Sequence, residues 1–167
     1  MGVFINYTGG VSIVSEAVEK ANNILGDEGF HRELSAIEHF EYANASGAII
    51  SRLIKESKIE AQVKFYSKRL TRANAYTKPK YPDSIFLNDK RLNRSAESIA
   101  ATLVHEYIHL LDYADKEYYF GHAGNRSTGK ENTAPYKIDN IVYAMLSKKE
   151  PREIQQDDEE EMTHLDE

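Results

Sequence analysis

The chain contains no cysteine. Disulfides, thiolate metal sites and a cysteine nucleophile are therefore all excluded. Long apolar runs are missing too: no stretch approaches the roughly 18 residues that a membrane span needs. The N-terminus, Met-Gly-Val-Phe-Ile-Asn, carries no basic segment followed by an apolar run, so no signal peptide is expected. Asn6 stands where a myristoylation motif needs Ser or Thr. No phosphate-binding loop, dinucleotide glycine fingerprint or Gly-x-Ser-x-Gly elbow appears. Internal repeats and inter-domain linkers are also missing. These absences lead us to expect a cytoplasmic protein with no membrane partner. They leave its oligomeric state open.

What is present suits one globular domain. The 167 residues are 41% apolar and 29% charged, enough to bury a core without covalent staples. The net charge of −6 is unevenly spread. Residues 150–167 hold nine acids against Arg152 alone, or −8, which leaves +2 for residues 1–149. We read 1–149 as the folded domain and 150–167 as a disordered, solvated acidic tail.

The most informative segment is His105-Glu106-Tyr107-Ile108-His109. Helical positions four apart lie on one face, so the two imidazoles can share one zinc ion. Glu106 can take a proton from water that the ion has acidified. The surroundings favour a helix over 95–115. Ser95 suits an N-cap, Glu97 suits the first turn, and no Gly or Pro intervenes. A catalytic zinc needs a third protein ligand. His122 is the first choice. It lies between Gly121 and Ala123, and six residues after a helix ending near Asp115 can double back over roughly 9 Å. Glu131 and Asp139 are the fallback ligands. Asp112, one turn past His109, would orient an imidazole or simply end the helix.

The H-E-x-x-H pattern with its uncharged flanks resembles the zincin superfamily of zinc metallopeptidases, over about residues 84–125. The metzincin variant is not matched, because Asp112 and Asp115 stand where it carries Gly and His. The glutamate that gluzincins carry on a following helix is not evident either. The resemblance implies a hydrolase acting on a protein or peptide, with Glu106 as the base and Zn2+ as cofactor. It implies a strand at 84–88 beside the cleft that pairs with extended substrate, and the motif helix beneath. It also implies that a tyrosine near the metal stabilises the oxyanion. Tyr136 is the candidate for that role, with Asn125 as another. The alternative is a catalytically silent zincin-like module that binds a protein or nucleic-acid partner. An intact Glu106 argues against that alternative.

The remaining periodicity predicts helices over 12–25, from Asp27 through Phe40, over 49–57 and over 134–148. Alternation at Ile59, Ala61, Val63 and Phe65 predicts a strand, as does Ser84–Asn88. The stretch 66–83 reads as loop. Its Lys and Arg residues, with Tyr66, Tyr76 and Tyr81, could bind single-stranded nucleic acid, but a solvated loop is the favoured reading. Helices first, two strands, then two helices make an α+β domain with helices packed on a small sheet. His31, His39 and His164 have no assigned role.

Overall fold

A computed structural model describes residues 3–121 and 130–147. His122, Asn125 and the acidic tail 150–167 lie outside the described residues. The elements run β1 (Ile5–Asn6), α1 (Ser12–Leu25), α2 (Glu28–Ser35), α3 (Gly47–Glu56), β2 (Ala61–Tyr66), β3 (Ala75–Lys78), β4 (Tyr81–Asn88), α4 (Ala96–Ala114) and α5 (Ala134–Ser147). Helices packed on a small mixed sheet make the expected α+β architecture. Among the described residues no helix is long and apolar enough to cross a membrane.

Helix starts follow local chemistry. Asp27 accepts the Phe30 N–H, Ser46 accepts that of Ile49, and Ser95 accepts that of Ser98. Each side chain satisfies an amide that lacks an intrahelical partner. The helix expected from Asp27 through Phe40 stops at Ser35. Ile37 turns back with its N–H on Leu34 O, and its own carbonyl accepts the Gly47 N–H at 2.8 Å. The first turn of α3 thus sits on the end of α2. A Cβ at Gly47 would lie 1.8 Å from Leu34 O, so only glycine permits that approach.

The sheet order is β1-β2-β4-β3. β1, β2 and β4 are parallel, and β3 returns antiparallel beside β4. Two sequence expectations are corrected here. Residues 75–78, read as loop, form β3. The strand expected to offer its edge, 84–88, belongs to a longer β4 that is paired on both sides, so β3 is the outer strand. Four residues ending at Pro79 are too few to show alternation. The rest of the stretch is tied down by polar side chains. Buried Asn88 donates to Lys68 O and Ala73 O, and Arg91 donates to Asn74 Oδ1 and Thr71 O.

The aromatic rings of the stretch read as a solvated loop are engaged with one another. Tyr76 stacks on Phe86 with centroids 4.7 Å apart, and Tyr66 meets Tyr76 edge-on at 4.8 Å. Tyr76 and Lys78 are themselves buried.

Helix α4 is the centre of the domain. Every residue from Ile99 to Leu111 is buried, as expected of a helix covered on all sides. It packs on α1, on α5 and on β3 and β4. Ala100 and Ala101 join Val14, Ala17, Val18 and Ala21 of α1 in one apolar core. Tyr107 ties α4 to the α3–β2 connection. Its hydroxyl donates to Ile59 O at 3.1 Å and lies 2.7 Å from Ser57 Oγ, which in turn accepts the Ile59 N–H. Burial pushes the Tyr107 phenol above its usual range, and the Ser57 bond opposes that shift.

Candidate metal centre

His105 and His109 occupy successive turns of α4, as their spacing predicts, and both are buried. Their Nε2 atoms face each other at 3.2 Å. Two nitrogens each about 2.0–2.1 Å from a tetrahedral zinc stand about 3.3–3.4 Å apart. The pair therefore fits a shared ion without rearrangement. Its chemistry fits too, since neutral imidazole is a standard zinc ligand.

α5 supplies two side chains behind His105. Asp139 Oδ2 lies 3.4 Å from Nδ1, the nitrogen on the far side of the ring from the His109 contact. This exceeds the roughly 2.7–3.2 Å of a good N–H···O bond, so the contact is electrostatic with loose hydrogen-bond geometry. Asp139 thus faces Nδ1 of His105, away from the Nε2 pair. Tyr136, expected near the metal, packs edge-on against the same imidazole, with centroids 4.7 Å apart. Residues three apart on α5 thus flank one ring, because that spacing shares a helix face.

Glu106, the next residue after His105, is buried too, and Thr77 Oγ1 of β3 donates to its Oε2 at 3.1 Å. The Thr77 hydroxyl also lies 3.4 Å from the Tyr113 hydroxyl. Tyr113, one turn past His109, lays its ring nearly parallel to that imidazole, at 19°. Thr77 and Tyr113 escaped the sequence reading. Tyr113 carried a signal, since its i+4 spacing from His109 shares the motif face. Thr77 carried none, because its strand went unseen.

Asp112 contacts the chain beyond the helix. Its Oδ1 accepts the Phe120 N–H at 3.1 Å. Asp115 accepts the Glu117 and Tyr118 N–H groups, and Asn44 exchanges bonds with Tyr119. Phe120 is buried and bridges Ala43. Gly121 has φ +95°, and a Cβ there would lie 2.7 Å from Glu41 O. The return from α4 is thus pinned up to the residue before His122. Glu131 is exposed on a 3₁₀ turn before α5. Among the described residues, no group of three or more His, Asp or Glu is gathered to hold a metal.

No protein-family model matches the chain, and no curated protein or solved structure matches it.

Proposed function

We propose that this chain is a zinc-dependent peptidase. The observation that carries the reading is the 3.2 Å approach of the Nε2 atoms of buried His105 and His109. His105 and His109 would hold the ion through Nε2, with His122 as the third ligand. A bound zinc would supply a Lewis acid that polarises the scissile carbonyl and acidifies water. The protein's own groups would do the rest. Glu106 takes the proton of the attacking water at its carboxylate and passes it to the leaving amine. Asp139 keeps the His105 ring turned so that Nε2 points away from it. The Tyr136 hydroxyl would donate to the oxygen that gains charge in the tetrahedral intermediate.

Protein purified without added metal should hold about one zinc per chain by elemental analysis. Glu106→Gln should keep that zinc and lose turnover of a peptide library on the order of 10²-fold or more, because an amide cannot accept the proton. A chain that holds no zinc and ignores added zinc would sink the reading. Zinc binding with no cleavage by the wild type would favour the silent binding module.

A further inference from the structure

We propose that Thr77 is a positioning residue that holds Glu106 for the reaction, with Tyr113 bracing Thr77 from behind. The inference deepens the peptidase reading and rests on it. Three observations converge on Thr77.

The first is its burial. Thr77 has no exposed surface on a short strand, where valine would fill the same space without a polar atom. A hydroxyl in that position needs a partner, and its partner is the Glu106 carboxylate at 3.1 Å. The Thr77 hydroxyl is the donor in that bond, so its single proton goes to Glu106. The Tyr113 hydroxyl must then be the donor in its 3.4 Å contact with Thr77 Oγ1. That distance is long for an O–H···O bond, so Tyr113 is the weaker support.

The second is the strand pairing. Tyr76 pairs with Phe86, and Lys78 pairs with Tyr81. Between those pairs Thr77 alone stands against residues 82–85 of β4. The hairpin turn contains Pro79, whose locked φ rules out the turn type needing φ > 0 at that position. The ladder is thus irregular at the residue that reaches the site, and such breaks re-aim side chains.

The third is the shared origin of the contacts. Tyr113 lies 3.4 Å from Thr77 Oγ1 through its hydroxyl, and its ring lies nearly parallel to the His109 imidazole with centroids 6.2 Å apart. One tyrosine therefore couples the support of the base to the orientation of a candidate ligand. A general base depends on position as well as proton affinity, and a small misplacement costs much of its effect.

The test compares Thr77→Val, Thr77→Ser and Tyr113→Phe in the full chain, with a mixed peptide library as probe. Thr77→Val should keep its zinc and its KM within about twofold while kcat falls about tenfold or more. Thr77→Ser, which keeps the hydroxyl, should recover most of that loss. Tyr113→Phe should lose only a few-fold. A purely structural role would instead lower Tm without the split between kcat and KM and without rescue by serine. Normal kcat in Thr77→Val, or equal losses in the Val and Ser variants, overturns the proposal.

A second readout does not depend on cleavage. Thr77→Val and Glu106→Ala should be non-additive in unfolding, by about tenfold in the equilibrium constant, as for a hydrogen bond to a charged group. If the wild type cleaves no peptide yet this non-additivity holds, the peptidase reading fails while the Thr77–Glu106 pair stands. Additive shifts overturn the pair itself.

Discussion

His31 and the pair His105–His109 are all buried, yet the protein uses their ring nitrogens in opposite ways. His31 points Nε2 at Leu25 O, 2.8 Å away, and Nδ1 at Ser51 Oγ, 2.7 Å away. A carbonyl only accepts, so Nε2 carries the proton and Nδ1 receives the Ser51 hydroxyl. Both nitrogens are thereby committed to the scaffold, joining α2 to the end of α1 and to α3. In the motif pair the Nε2 atoms converge on each other instead, and an acid stands behind one ring. Burial alone does not make a histidine a ligand. What the ring nitrogens point at makes the difference.

Alanine substitution turns that contrast into an experiment, and its largest effect should fall on the metal. His105→Ala and His109→Ala should each abolish stoichiometric zinc binding, because a site with two remaining protein ligands no longer closes around the ion. His122→Ala should weaken zinc sharply for the same reason. His31→Ala should leave zinc content at the wild-type level. Elemental analysis after gel filtration reads all four. Zinc loss in His31→Ala with the fold intact would erase the distinction.

Stability should show the reverse pattern. His31→Ala leaves the Ser51 hydroxyl and the Leu25 carbonyl buried without their partner and opens a cavity. Each unsatisfied group costs about 1–3 kcal/mol. We expect a loss of about 2–4 kcal/mol, read by denaturant unfolding with zinc chelated. His105→Ala in the same chelated state should cost less, because its removal also relieves the need to hold two imidazoles in contact. An equal or larger loss in His105→Ala would mean that the motif pair serves the core as much as His31 does.

The two histidine environments were not equally legible in the sequence. The motif pair could be read because its chemistry lies within one helix, where spacing alone puts side chains together. The cap at Ser95, the end of the first helix at Leu25, the start of the second near Asp27 and the α+β order were local in the same sense. The role of His31 was not legible, since Ser51 is twenty residues away on another helix. Thr77 was hidden for a similar reason. Its strand is only four residues long, and its partner lies 29 residues on, in helix α4. The edge expected at Ser84–Asn88 was misplaced because pairing is a long-range choice. A run such as Ser84–Asn88 shows strand character without showing which neighbours take its edges. Asp139 was named only as a fallback ligand, because the sequence places it on the last helix without saying which nitrogen it faces.

The smallest effect tests that acid. Asp139 is buried 3.4 Å from His105 Nδ1, so its charge acts on the imidazole from the side opposite His109. Such a carboxylate favours the tautomer with the proton on Nδ1, leaving the Nε2 lone pair for a metal, and makes that nitrogen more basic. Asp139→Asn keeps the shape and an oxygen acceptor but removes the charge. Zinc affinity should therefore fall about 10- to 100-fold while the stoichiometry stays unchanged, as measured by competition with a chromophoric chelator. The same titration on His31→Asn should show no change, since no carboxylate or metal enters that contact. If Asp139→Asn binds zinc as tightly as the wild type, the acid has no influence on the ligand. If it binds none at all, Asp139 is itself a ligand, and the ring orientation of His105 in the loaded protein must differ from the one described.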